Sequence, residues 1–132
     1  MNTIRGRITS IESAGNLSIV ALDVSGVTLK SLVLENPGTA SYLSGGRTVN
    51  ILFKETEVVI ATGDVATISL QNRLKGKVTA IDRGRLISRV VMDTEIGTVV
   101  SVVTTAAVDQ LVLQPGNLVT ALIKTNEIIL SE

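Results

Sequence analysis

Two tandem five-stranded β-barrels, each with one short helix, are the fold that this sequence predicts, and three observations predict it. The first is an internal repeat at a constant offset of 70 residues. Asn2 matches Asn72, Gly6 matches Gly76, Thr9 matches Thr79, Ser18 matches Ser88, Asp23 matches Asp93 and Ser31 matches Ser101. The register holds without a gap through Leu43 and Leu113, Gly46 and Gly116, Lys54 and Lys124, and Glu57 and Glu127. Each half must then form the same unit, and two copies are too few for a solenoid. The second observation is the composition, 45% hydrophobic and only 2% aromatic. Such an aliphatic, β-branched supply favours strands. The third is alternation of apolar and polar residues between closely spaced turn signals.

The elements follow in order. Ile4 to Ile11 alternates as a half-buried strand, and Ser13 to Asn16 is a turn. Leu17 to Val24 alternates again, with Leu17, Ile19, Ala21 and Asp23 on one face and Ser18, Val20, Leu22 and Val24 on the other. Ser25-Gly26 turns the chain into a third strand, Val27 to Leu34. Asn36-Pro37 offers an N-cap followed by proline at the first helical position, so a short helix is expected over 37–44, stopped by Gly45-Gly46. Strands over 47–54 and 57–61 complete the unit. The link from Thr62 to Leu70 turns at Gly63-Asp64.

The second unit repeats the pattern, with strands over 73–82, 86–94 and 97–104. A helix over 105–111 follows, with Thr104 or Thr105 as N-cap and Val108, Leu111 and Val112 as its packing face. Gln114-Pro115-Gly116 ends it, and strands over 117–124 and 127–131 close the chain. The order β-β-β-α-β-β is that of the five-stranded OB barrel. The expected units are residues 1–62 and 69–132. Units of this size lie near the lower limit for independent folding, roughly 55–65 residues, and need burial against each other or another chain.

Composition also narrows function. There is no Cys and no His, which removes thiolate metal sites and the commonest general base together. Asp23 and Asp93 give one matched carboxylate per unit and no acid–base pair, so no catalytic constellation and no metal site is expected. Lys+Arg and Asp+Glu are both 12, and Phe53 and Tyr42 are the only rings, a poor match to a base-stacking, basic nucleic-acid surface. No apolar run is long enough to span a membrane and no signal peptide is apparent, so a soluble cytoplasmic protein is expected.

The stretch Ser69-Leu-Gln-Asn72-Arg-Leu-Lys-Gly76-Lys-Val resembles the S-A-R-N-x-L-K-G-x-V opening of the molybdate-binding Mop (molbindin) domain of the TOBE superfamily. Val103-Thr104, Leu113-Gln-Pro-Gly116 and Val119 to Lys124 are similar to later segments of the same family. The likeness covers nearly all of the second unit and the first more weakly, through Gly6, Gly46 and Lys54. It implies binding of molybdate or tungstate between subunits, for intracellular storage, homeostasis or sensing, with no organic cofactor and no catalysis. Carried over by position, it implies Ser69 as a hydroxyl donor, with Leu70, Gln71 and Asn72 beside the anion. It implies Thr104 as a further donor and Lys124, with Lys54 as its weaker match, as the cation. Gln71 stands where the family has Arg, which removes a cation from the second unit's motif, and Leu34 stands where the second unit has Thr104, so that the first unit is expected to be a worn half with only Lys54 in a matching place. The resemblance also implies a homo-oligomer, a dimer as in the regulators or a trimer as in the storage proteins; a trimer is expected in preference, and the composition leaves no nucleic-acid or membrane partner expected. The alternative is a regulatory TOBE module detached from a transporter ATPase or a transcription regulator, with weak or no oxyanion binding of its own. The chain itself has no phosphate-binding G-x-x-x-x-G-K-[ST] loop.

Overall fold

A computed structural model describes residues 1–132. Ten strands form two five-stranded sheets. In the first half these are β1 (Asn2–Ala14), β2 (Leu17–Val24), β3 (Val27–Val33), β4 (Thr48–Phe53) and β5 (Val59–Ala61). The second half has β6 (Asn72–Arg83), β7 (Ile87–Thr94), β8 (Gly97–Thr104), β9 (Leu118–Ile123) and β10 (Ile129–Ser131), with one α-helix, α1 (Thr105–Gln110). Single 3-10 turns over Glu55–Glu57 and Thr125–Glu127 precede the last strand of each half.

The long opening strands organise both barrels. The first part of β1 pairs with β4, and its later part pairs with β2. A register shift between Ile8 and Ser10 lets one strand serve both partners, and β6 does the same between Val78 and Ala80. The matched threonines occupy these bulges, where Thr9 and Thr79 each donate to a carbonyl of the neighbouring strand, Ala21 and Val91, at 3.2 Å. Gly6 and Gly76 lie just before. A Cβ on Gly76 would stand 2.9 Å from the Asp93 carbonyl oxygen, and one on Gly6 would stand 2.6 Å from Ile51 Cδ1. At Gly76 the obstacle is backbone, whereas at Gly6 the nearest atom is a side-chain end and the nearest backbone atom is the Asp23 carbonyl oxygen at 3.2 Å.

Each sheet borrows its edge strand from the other half. The orders are β10-β4-β1-β2-β3 and β5-β9-β6-β7-β8. The last strand of each unit therefore lies on the other unit's sheet and covers one of its edges. The buried apolar side chains form one continuous cluster drawing on both halves, from Ile8, Val20 and Phe53 to Leu74, Met92 and Ile123. On β2 the buried face is Ser18, Val20, Leu22 and Val24, one of the two alternating sets seen in the sequence.

Matched polar residues lock the exchange. Asn72 is 1% exposed, donates from Nδ2 to the Lys30 carbonyl at 2.8 Å and accepts from the Lys30 N–H at 2.7 Å. Asn2 makes the same pair of bonds to Val100, at 2.8 and 2.9 Å. Ser31 donates to the Ile128 carbonyl at 2.8 Å, and Ser101 donates to the Val58 carbonyl at 2.6 Å. Partners and residues both sit one repeat apart, so the two halves embrace reciprocally. Each contact satisfies backbone groups that would otherwise be orphaned at a sheet edge.

The helix expected over 37–44 does not form. Asn36 does cap the segment, its Oδ1 accepting from Gly38 and Thr39, but only Ala40 N–H to Asn36 O is a helical bond and the chain continues as turns. Gly38, Thr39 and Ser41 are weak helix formers, and Pro37 and Gly38 stand where the second unit's helix has Ala107 and Val108. Leu43 still fills the place of Leu113, both being buried.

The second unit's helix forms, and of its expected packing face Val108 and Leu111 pack against the core while Val112 does not. Thr104 is its N-cap, accepting from Ala107 N–H at 3.1 Å. Val108 is buried, but Val112 is 65% exposed and has φ of 54°. Val112 N–H bonds to the Asp109 carbonyl and Leu113 N–H to the Val108 carbonyl, the bond pattern of a Schellman ending, with buried Leu113 following Val112. A β-branched residue thus occupies the left-handed position that usually takes glycine.

Candidate functional site

The linker between the units is held by one arginine beside a cavity that its last residues line. Arg73 Nε donates to the Leu70 carbonyl at 2.7 Å, Nη1 to the Val65 carbonyl at 3.2 Å and Nη2 to the Ile68 carbonyl at 3.0 Å. A planar guanidinium with several fixed donors gathers the carbonyls of a segment that has no sheet partner. Immediately after it, the buried Asn72 ties the start of β6 to β3. Ser69, Leu70 and Gln71 are thereby suspended between two anchors.

These three residues line a cavity of about 440 Å³ together with Lys124 and Thr125 from the end of β9. The remaining wall is Glu57 and Val59 from the first half and Glu127 from the second. Both halves therefore contribute to one cavity, as the exchange of β5 onto β9 requires. Ser69, Gln71 and Lys124 are exposed and Leu70 is half-buried. Lys124 caps the 3-10 turn over Thr125–Glu127 with an extended backbone, and no carboxylate forms an ion pair with its ammonium. A free ammonium, a hydroxyl and a primary amide around one space can receive an acceptor-rich ligand. No nucleophile–base pair accompanies them, and no group of carboxylates is placed to hold a metal ion.

Four of the seven residues singled out in the sequence thus meet, namely Ser69, Leu70, Gln71 and Lys124. The other three lie outside this cavity. Asn72 has both amide atoms engaged with Lys30. Thr104 caps α1 from the end of β8. Lys54 caps the 3-10 turn over Glu55–Glu57, in the position that corresponds to Lys124. Sequence reasoning gave no role to Arg73, Thr125, Glu57 or Glu127. The identity of Glu57 and Glu127 across the repeat was the available signal for the last two, and nothing in the sequence told that one cavity would hold both.

One ionisable group departs clearly from ordinary behaviour, and it lies elsewhere. Tyr42 is pushed well above the usual phenol value by burial and by the hydrogen bond that it donates to Glu35.

Comparison with known proteins adds the following. A profile of the TOBE domain matches residues 68–130. The molybdenum-pterin-binding protein MopA of Rhodobacter capsulatus is 32% identical over 133 residues, covering 98% of this chain and 50% of MopA. The chain thus spans half the length of that relative. The crystal structure of the cytoplasmic molybdate-binding protein ModG, with molybdate bound, superposes with a TM-score of 0.90 at 27% identity, covering 98% of this chain and 94% of ModG. MopII from Clostridium pasteurianum is 30% identical over 45% of this chain and 90% of its own, with a TM-score of 0.43.

Proposed function

We propose that the chain, in which the TOBE domain profile matches residues 68–130, binds molybdate or tungstate, reversibly and without catalysis, in the cavity beside Lys124. The observation that carries this reading is the meeting of Ser69, Leu70 and Gln71 with an unpaired Lys124. A tetrahedral dianion presents only acceptors, so it needs N–H and O–H donors and positive charge. Lys124 supplies the charge as a hydrogen-bonded ammonium. The Ser69 hydroxyl and the Gln71 amide donate to separate oxygens. Arg73 and Asn72 act one step back, by fixing where the 69–71 segment stands. The near match to a molybdate-bound protein over almost the whole chain supports the choice of ligand. Storage, homeostasis and sensing all draw on such a site.

We further infer that the working form is a homo-oligomer, a trimer in preference to a dimer, in which a neighbouring copy completes the site. Lys124 is the only cation lining the cavity, and the mouth is open to groups from outside. Thr104 and Lys54 are exposed groups that a second copy brings there. Large apolar side chains support association, with Leu34, Leu118 and Leu86 each more than three-quarters exposed.

Dialysis of the full chain against molybdate, then elemental analysis of the protein and light scattering, tests both parts. Stoichiometric molybdenum on an assembly several times the 13.9 kDa chain mass is expected. Absence of molybdenum removes the ligand assignment. Molybdenum on a monomer of unchanged mass removes the shared site.

A further inference from the structure

The proposed anion site contains two carboxylates that an anion site does not need. Glu57 and Glu127 line the same cavity as Lys124. Neither forms an ion pair, although Glu55, two residues from Glu57, is engaged by the N-terminal amine at 3.4 Å and by Arg89 at 3.7 Å. They are the same residue at the same position of the two halves, each ending a 3-10 turn. The strand exchange is what turns both toward one space.

The charge balance is unfavourable as it stands. One ammonium faces two carboxylates, and a dianion would enter a cavity that is already net negative at neutral pH. A further cation, Arg73, stands behind the 69–71 segment, with its guanidinium engaged by the Leu70, Val65 and Ile68 carbonyls. Lys54 and Glu55 neighbour Glu57 in sequence, Lys124 neighbours Glu127, and Lys30 lies on β3, which packs against the Thr125–Glu127 turn. Strand β8, which packs against the Glu55–Glu57 turn, carries no ionisable side chain. A carboxylic acid reverses the effect, because once protonated it donates a hydrogen bond to an oxyanion. A dianion brought beside a carboxyl also stabilises its protonated form, as any nearby negative charge does.

We propose that oxyanion binding in this cavity is coupled to proton uptake, about one proton per anion, taken up on Glu57 or Glu127. The inference rests on the binding reading given above. The proton comes from solvent and stays on the carboxyl oxygen while the anion is bound, and it leaves with the anion. The carboxyl is more readily protonated in the complex than in the free protein. Affinity is therefore greatest at low pH and falls about tenfold per pH unit between the carboxyl pKa of the free and of the bound state. The two glutamates make the cavity a sensor of acidity as well as of anion.

Calorimetric titration of the full chain with sodium molybdate, in two buffers of different ionisation enthalpy, counts the protons directly. The experiment is run above the pH at which the anion itself protonates. Buffer-dependent heat corresponding to about one proton, with affinity falling about tenfold per pH unit, is expected for the native chain. Glu57→Gln with Glu127→Gln should bind with affinity nearly independent of pH and without proton uptake, since the amide supplies a permanent donor. Molybdate binding with equal heats in both buffers overturns proton coupling and leaves the binding reading intact. Proton uptake that survives the double substitution overturns the assignment to these residues. Absence of molybdate heat at every pH overturns the binding reading itself.

Discussion

Replacing Asn72 by Ala tests how the two halves hold each other. The substitution removes a side chain that is 1% exposed and breaks two bonds, of 2.8 and 2.7 Å, to the Lys30 carbonyl and N–H. Strand β3 is the last strand of its sheet, so Lys30 has no further neighbour to pair with on that side. A buried backbone group left unpaired costs about 1–3 kcal/mol. Lys30 is half-buried and water can reach part of the gap, which favours the lower end, about 2–3 kcal/mol in all. The equivalent change, Asn2→Ala, orphans Val100, which is only 8% exposed, and should cost more, about 3–5 kcal/mol. At roughly 3–5 °C per kcal/mol for a chain of this length, the Asn72 change lowers Tm by about 6–15 °C. Thermal unfolding followed by circular dichroism reads both variants. A loss below about 0.5 kcal/mol for both would refute the view that these amides fasten one half to the other.

Other expectations concern single positions. Val112→Gly should raise stability by about 0.5–1 kcal/mol in denaturant titration, because it relieves a β-branched residue at φ of 54° while adding some chain entropy to the unfolded state. Gly76→Ala should cost about 1–3 kcal/mol, since its Cβ would stand 2.9 Å from a backbone oxygen that cannot move aside, and equal stability would contradict the close approach. Lys124→Ala should weaken molybdate binding about 10- to 150-fold and Lys54→Ala less, as judged by calorimetry, given that only Lys124 lines the cavity. Tyr42 holds its proton more tightly when folded than when unfolded, so its contribution is complete below the ordinary value of 10.0 and is lost as pH rises beyond it; Tyr42→Phe should flatten the alkaline fall in stability.

Much of this architecture was legible in the sequence because it is local. Alternation along Leu17–Val24 separated the buried face from the exposed one. Thr104 or Thr105 read as the cap, and Thr104 is the one. What escaped was either non-local or balanced on weak propensities. The identity of Asn2 and Asn72 was plain, but their partners lie in the opposite half, on a strand brought near only by the exchange of β5 and β10. The 37–44 segment has a good cap and a poor helical interior, and the interior decided the outcome. Val112 looked like a packing residue at helical spacing, yet the helix ends before it and turns it outward. The motif named the contiguous stretch 69–71 and the distant Lys124, and these line one cavity. Arg73, which shapes that stretch through backbone carbonyls alone, carries no motif of its own.

The central claim is that the cavity beside Lys124 receives a tetrahedral metal oxyanion in preference to smaller ones. Competitive calorimetry of the full chain with molybdate, tungstate, sulfate and phosphate tests it most directly. The account predicts tight binding of molybdate and tungstate, much weaker binding of sulfate and phosphate, and loss of molybdate heat in Lys124→Ala. Equal affinity for all four anions, or molybdate binding untouched by Lys124→Ala, would contradict it.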